Sequence, residues 1–166
     1  MAQTGLFAGT IPPRALHRAA NELPFVKIAE GAELQLLQVD IEAGLWVIRT
    51  RLHPGVTLAK HKHTGEVFAF TIAGEWKYLE YPEISTAGSY LFEPAGSVHT
   101  LHTPPSNTEV TDVWFAIRGA NLEYGADGGI ENVVDAGAAL SIYRELCLAA
   151  GHGEPNVLGV SDALRS

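Results

Sequence analysis

Short runs in which apolar and polar residues alternate, or nearly alternate, follow one another through the middle of the chain. They are rich in β-branched and aromatic residues, and turn residues such as Pro54-Gly55 and Pro94-Ala95-Gly96 separate them. Alternation with a period of two is the signature of a strand that buries one face. The pattern predicts strands over residues 34–39, 45–52, 67–72, 76–81, 90–92, 98–103 and 110–117, and therefore an all-β core.

The two ends of the chain have different patterns. Residues 138–150 place apolar side chains at helical spacing, and Gly151 supplies a stop, so one C-terminal helix is expected to pack on the strands. The first residues carry Pro12 and Pro13 and little periodicity, which is typical of an arm laid over the surface or against a neighbouring subunit. We expect an arm over residues 1–22, a β-barrel over 23–135, and a helix with a tail over 136–166, all in one domain.

Composition narrows the function classes. The chain has 166 residues, of which 46% are hydrophobic, and 11 basic against 19 acidic residues give a net charge of −8. This balance argues against nucleic acid and anionic membranes as partners. Neither a secretory signal nor a membrane-spanning run is apparent, so a cytoplasmic protein is expected. The single cysteine, Cys147, excludes an internal disulfide and reads as a small buried residue of the helix.

Three histidines stand out as candidate metal ligands. His61 and His63 flank Lys62, and strand geometry sends residues two apart to the same face. His99 follows the turn at Pro94-Ala95-Gly96, and antiparallel strands of a small barrel can bring it opposite the first two. Three neutral imidazoles suit iron, zinc, copper, nickel and, less well, manganese. The alternative is that these are unrelated histidines with structural roles.

Glycine and proline spacing around these histidines resembles the two motifs of the cupin family. Gly55, five residues, His61, one residue and His63 match the start of the first motif, and Gly74 resembles its closing glycine. Gly88, five residues, Pro94, one residue, Gly96, two residues and His99 match the second motif without a gap. The resemblance implies a jelly-roll barrel, the double-stranded β-helix, with a metal ion held by His61, His63 and His99.

One departure from the cupin motif concerns its metal-binding glutamate. That residue is expected four or five positions after the second histidine, where this chain has Val67 and Phe68. Glu66 lies one position early and is expected to face solvent unless a bulge re-aims it. A site with three histidines and no glutamate leaves the metal its full charge and more open positions, and both favour an anionic chelate.

A narrower resemblance covers residues 61–65, 70–81 and 88–101, which look like the acetylacetone dioxygenase and 2,4'-dihydroxyacetophenone dioxygenase group. It implies an Fe(II) enzyme that binds a β-diketone or hydroxy-ketone and uses dioxygen to cleave the bond between the oxygenated carbons. It also implies that the carboxylate of Glu93 accepts a hydrogen bond from a metal-binding imidazole and so orients that ring without binding the metal itself. Alternation along the strand turns either Trp114 or Phe115 inward. The resemblance favours Trp114 as a residue of the pocket wall.

Strand parity with the histidines adds Leu58, Val67 and Ala69 as candidate pocket walls. His102 follows His99 by three, so an unbroken strand would turn it to the other face. The remaining histidines lie outside both motifs and are expected to be structural or exposed; they are His17, His53 and His152.

Two other functions stay open at this point. A cupin that only binds metal, like the sensor domains of zinc anti-sigma factors, would act through a protein partner, and the short arm before the barrel argues for the enzyme instead. A sugar or acid isomerase is a further alternative that no residue specifically supports. The proline-rich arm, and the fact that cupins usually form dimers, suggest a homodimer or homotetramer.

Overall fold

Strands dominate residues 15–160, the part of the chain that the computed structural model describes. The outer ends of the predicted arm and tail, residues 1–14 and 161–166, lie outside the described residues. The strands are β1 Val26–Ala29, β2 Ala32–Asp40, β3 Leu45–Leu52, β4 His61–His63, β5 Val67–Ala73, β6 Glu75–Tyr78, β7 Ser85–Thr86, β8 Tyr90–Glu93, β9 Val98–His99, β10 Leu101–His102, β11 Thr111–Arg118, β12 Asn121–Tyr124 and β13 Ile130–Val134. A helix, α1, follows over Ala136–Ala149.

These strands form three antiparallel sheets. The largest has the order β1-β2-β3-β11-β5-β8, a second has the order β13-β12-β4-β9, and a third has the order β10-β6-β7. Some neighbours, such as β3 and β11, β11 and β5, and β12 and β4, are distant in sequence, so the chain crosses repeatedly between layers, as in a jelly roll. The predicted all-β core with one C-terminal helix is confirmed.

Strict alternation in the central strands explains where the core lies. Along β3 every second side chain is buried, starting at Trp46, and the buried residues of β5 include Val67 and Ala69. The opposite face of β5 leaves Phe70 and Ile72 exposed. The apolar residues of the inward faces thus fill the interior between the sheets.

The predicted strand over 98–103 is divided in two. Its first half, β9, pairs with β4, whereas its second half, β10, pairs with β6. Between them the backbone amide and the hydroxyl of Thr100 both donate to the carboxylate of Glu80, each over 2.8 Å. The chain leaves one sheet for another at this residue, a change of partner that periodicity within a segment does not reveal.

Four further strands lack a clear hydrophobic signal. β1, β12 and β13 are short and mostly exposed or half-buried, and β7 has two residues. They are held by pairing with other strands, β1 with β2, β7 with β6, and β12 with β13 and β4, and they bury little apolar surface of their own. This explains why the alternation pattern does not predict them.

Helix α1 begins two residues earlier than predicted because Asp135 caps it, with Oδ1 accepting a hydrogen bond from the amide of Ala138 over 2.8 Å. The amide of Gly151, which has a φ of +78°, donates to the carbonyl of Leu148 and ends the helix as predicted. The hydroxyl of Tyr143 donates to the carbonyl of Pro24 over 2.6 Å and ties α1 to the start of the barrel. Across residues 15–160, no helix is both long and apolar enough to cross a bilayer.

Candidate metal centre

The three candidate ligands lie on neighbouring strands. His61 and His63 are the ends of β4, and His99 on β9 is the cross-strand partner of His61. The ring centroids of His61 lie 4.8 Å from those of both His63 and His99, and the last two are 5.0 Å apart. One nitrogen of each ring lies within 4.8 Å of the others, which is close enough for a single metal ion to bind all three.

Backbone hydrogen bonds hold the two sequence motifs together at this point. The amide of His63 donates to the carbonyl of Ser97 over 3.1 Å, and the amide of Gly96 donates to the carbonyl of His63 over 2.8 Å. Gly96 has a φ of +88°, a conformation that favours glycine. The turn before His99 is therefore fixed directly against the strand that carries His63.

Local contacts set the protonation state of His61. Its Nδ1 lies 2.9 Å from the carbonyl oxygen of Ala59, and since a carbonyl only accepts, Nδ1 carries the proton. Burial lowers the pKa of His61 to about 4, so the ring is neutral at pH 7. The lone pair of Nε2 is then available to a metal ion.

Glu93, at the end of β8, lies against the other two histidines. Its Oε2 is 3.0 Å from Nε2 of His63 and 3.1 Å from Nε2 of His99, and its Oε1 accepts a hydrogen bond from the hydroxyl of Tyr78. Burial alone raises the pKa of Glu93, but the interactions with the two imidazoles outweigh it and lower the pKa to about 2. Glu93 is therefore an ionised carboxylate in a buried position.

Unsatisfied atoms test whether this site suits a cation. Among the described residues, Nδ1 of His63 is buried without a hydrogen-bond partner, and Nε2 of His99 and Oε2 of Glu93 lie 3.1 Å apart without a well-directed hydrogen bond. Buried polar atoms are normally paired. A metal ion would pair these atoms by accepting lone pairs from nitrogen and oxygen. The residues present thus fit a metal ion, and the donor set of imidazoles suits a transition metal.

Glu93 contacts two of the three candidate ligands at once. Its Oε2 faces a nitrogen of His63 and a nitrogen of His99, so one carboxylate can fix the orientation of both rings. Glu66, by contrast, faces outward, where its Oε1 lies 3.4 Å from Nε of Arg118 and both side chains are partly exposed. The carboxylate next to the histidines therefore comes from the second motif and not from the first.

Two neighbouring cavities lie beside the histidines. A small one of about 70 Å³ is lined by His61, His63 and Tyr78, among others. A larger one of about 390 Å³ is lined by residues of α1, and both cavities are lined by Leu58 and Asn121. A separate cavity of about 320 Å³ lies on the other side of Glu93 and His99 and does not reach His61 or His63.

The structure places the predicted pocket walls unequally. Leu58 lines both of these cavities. Val67 and Ala69 are buried in the core and line neither cavity. Trp114, the pocket wall favoured by the resemblance, lines neither cavity, whereas its neighbour Phe115 lines the small one, because the register of β11 turns Phe115 towards the interior.

The other histidines lie apart from the cluster. Nδ1 of His102 is 2.8 Å from Oγ1 of Thr57, in a half-buried position after the strand break at Thr100. His17, His53 and His152 are exposed.

Two residues at the site escaped prediction. Tyr78 alternates with the buried Trp76, so its parity on β6 was a usable signal for an inward position. Asn121 lies on β12, where it is the cross-strand partner of His63. The hairpin turn signal Asp127-Gly128 that follows β12 was the one local indication of this strand.

The arrangement of sheets and the histidine cluster at their centre define the class of this protein as a cupin. Residues 14–117 match the sequence profile of the ChrR cupin-like domain, and the chain belongs to that family. A search of curated proteins finds no match.

Solved structures of similar fold agree with this assignment. A protein of unknown function with a cupin-like fold from Ralstonia eutropha JMP134 is 34% identical, with a TM-score of 0.80 over 90% of this chain and 94% of that one. An acetylacetone dioxygenase from Acinetobacter johnsonii is 18% identical, with a TM-score of 0.70 over 82% of this chain and 95% of that one. The Rhodobacter sphaeroides SigE complex with the anti-sigma ChrR matches at 13% identity and a TM-score of 0.50, over 60% of this chain and 51% of that one.

Proposed function

We propose that the protein is a non-haem Fe(II)-dependent dioxygenase that cleaves a C–C bond of a β-diketone or hydroxy-ketone. The observation that carries the proposal is the convergence of three imidazoles beside an apolar cavity, with Val67 and Phe68 in place of the usual glutamate. Neutral imidazoles leave much of the positive charge of a cation to be balanced by an anionic substrate, which an enolate provides.

The chain's own residues have separable roles in this proposal. His61, His63 and His99 hold the ion, and Leu58 and Phe115 present apolar surface to the cavity beside it. Such walls exclude water from the reacting groups. Bound ferrous iron would supply the redox chemistry with dioxygen that no side chain of the site can perform.

Glu93 is a poor candidate for the base that removes the substrate proton. A general base works best when its pKa lies near the working pH, and the pKa of Glu93 is lowered to about 2. We assign to Glu93 instead the placement of the two imidazoles and the partial neutralisation of the ion. The substrate would then bind as an enolate whose proton goes to solvent.

Oxygen uptake tests the proposal. Protein purified without oxygen and loaded with Fe(II) is given a panel of β-diketones and 2-hydroxyacetophenones, and uptake and carboxylic acid products are measured. We expect uptake to depend on substrate and to be absent from the zinc-loaded protein and from His99→Ala. Absence of uptake across the panel, with iron occupancy verified by elemental analysis, would overturn the proposal.

The family match supports one second candidate. The family is that of the ChrR cupin-like domain, and ChrR in the related complex is an anti-sigma protein. A metal-binding sensor without catalytic activity, acting through a protein partner, would use the same histidines. Freshly isolated protein with about one tightly bound zinc per chain, together with no oxygen uptake after iron loading, would favour the sensor.

A further inference from the structure

The larger cavity beside the histidines has a carboxylate in its wall. Among the described residues that line this cavity, Glu123 on β12 is the one acidic side chain, and most of the others are apolar. His61 lines the same cavity, whose volume of about 390 Å³ falls within the range of small-ligand pockets. Glu123 is half-buried, so its carboxylate lies between the cavity and solvent.

Strand register places Glu123 directly beside His61. The amide of Tyr124 donates to the carbonyl of Lys60 over 2.9 Å, so the next pair along the two strands, His61 and Glu123, is a non-hydrogen-bonded pair. In such pairs the Cα atoms are about 4.5 Å apart, and the side chains on the shared face lie close together. The carboxylate of Glu123 can therefore reach a ligand that is bound in front of the His61 ring.

A neighbouring amide holds one oxygen of this carboxylate. Nδ2 of Asn132, on β13, donates to Oε2 of Glu123 over 3.1 Å across the hairpin of β12 and β13. The hairpin thus orients the carboxylate, and Oε1 can accept a proton. A general base needs this placement first, within hydrogen-bond reach of the proton that it removes.

We infer that Glu123 is the general base that converts the substrate to its enolate. The C–H bond next to the carbonyl group breaks, its proton goes to the carboxylate of Glu123, and its electron pair moves to the carbonyl oxygen, so the step needs no oxidant. Since Glu123 is half-buried, it can then pass the proton to water. This inference rests on the proposed function and names the residue that takes the proton on its way to solvent.

Hydrogen–deuterium exchange at carbon tests this step without oxygen chemistry. Zinc-loaded protein is incubated with hydroxyacetone or 2-hydroxyacetophenone in deuterium oxide, and NMR follows the loss of the proton signal from the carbon next to the carbonyl group. We expect the parent protein to accelerate exchange and Glu123→Gln to slow it at least about tenfold, since a positioned base contributes roughly 100-fold or more. Glu131→Gln should exchange as the parent does, because Glu131 is exposed on the same hairpin and does not line the cavity.

Two further readouts distinguish a base from a residue that only shapes the cavity. Formate should restore exchange to Glu123→Ala as its concentration rises, because it supplies the missing carboxylate. Calorimetry with tropolone, a chelating ligand whose acidic proton is on oxygen, should show that Glu123→Gln binds it at least as tightly as the parent does, and the zinc content should be unchanged.

Three results would each overturn the inference. They are a loss of exchange below about tenfold in Glu123→Gln, a failure of formate to rescue Glu123→Ala, and a loss of zinc or tropolone binding in Glu123→Gln. The last result would show that Glu123 supports the site structurally and does not remove a proton.

Oxygen uptake separates this inference from the proposed function. Exchange that depends on Glu123, combined with no oxygen uptake by the iron-loaded protein, supports the base and removes the dioxygenase. Substrate-dependent uptake at the parent rate in Glu123→Gln supports the dioxygenase and overturns the base. Absence of both exchange and uptake in the parent protein overturns both.

Discussion

The phenol ring of Tyr78 stacks on the imidazole ring of His99, with ring centroids 3.8 Å apart and 15° between their planes. The same phenol donates its hydroxyl hydrogen to Oε1 of Glu93, whose Oε2 faces Nε2 of His99. Burial and the nearby charge of Glu93 raise the pKa of Tyr78 well above its usual value, so the phenol stays a donor. One side chain thus positions both a candidate ligand and the carboxylate beside it.

Tyr78→Phe keeps the stacked ring and removes the hydroxyl. Glu93 then holds a buried negative charge with one donor fewer, and the free energy of unfolding of the metal-free protein is expected to fall by about 1–3 kcal/mol. Urea denaturation at pH 7 measures the change. Tyr81→Phe is the matched control, since Tyr81 is 45% exposed and its change should stay within about 0.5 kcal/mol. Equal stability of the two variants would contradict the role given to the Tyr78 hydroxyl.

Glu93→Gln tests the carboxylate itself. The amide can still accept from Tyr78 but carries no charge, so metal affinity is expected to fall roughly 10- to 100-fold. Competition with a chromophoric chelator measures the affinity. Glu80→Gln, at a surface carboxylate that accepts from Thr100, should bind metal as the parent does. Unchanged affinity in Glu93→Gln would show that the carboxylate contributes nothing to the ion.

The histidine cluster was predictable because its signals are local. His61 and His63 share a face through strand parity, and the turn residues Pro94 and Gly96 fix the approach to His99. Each of these features can be predicted from a few consecutive residues. The all-β core followed from alternation in β3, β5 and β11 for the same reason.

The surroundings of the cluster depend on register between distant strands. Glu93 reaches the histidines because β8 pairs with β5 opposite Val67, and Asn121 reaches them because β12 pairs with β4. Alternation on β11 predicts that one of Trp114 and Phe115 faces inward without saying which. The pairing of Phe115 with the buried Ala69 and Ile48 decides it.

Acid should destabilise the metal-free protein through His61. The pKa of this ring is lowered from 6.5 to about 4 in the folded state, chiefly by burial, so between these values the unfolded chain binds more protons. The contribution is complete above pH 6.5 and is lost as the pH falls towards 4. Between pH 7 and pH 5 we expect the free energy of unfolding to drop by about 2 kcal/mol from this group.

The control for this effect is His61→Gln, which should lack that part of the pH dependence. Glu93 does not contribute in the same window, because its pKa is lowered to about 2 and its stabilisation is lost only below its usual pKa of 4.5. Urea denaturation at both pH values gives the difference. A parent protein and variant with the same slope between pH 5 and pH 7 would contradict the burial of a neutral His61.

Metal content distinguishes the carboxylate of the first motif from the histidines. His99→Ala removes one of three converging imidazoles and is expected to abolish tight metal binding, whereas Glu66→Gln should retain the metal of the parent protein. The reason is geometric: Glu66 is 43% exposed and pairs with Arg118 on the outside of the barrel. Elemental analysis of freshly isolated proteins, normalised to chain concentration, measures both. Loss of metal from Glu66→Gln would mean that this carboxylate turns inward when the ion binds, and the three-histidine site would then be wrong.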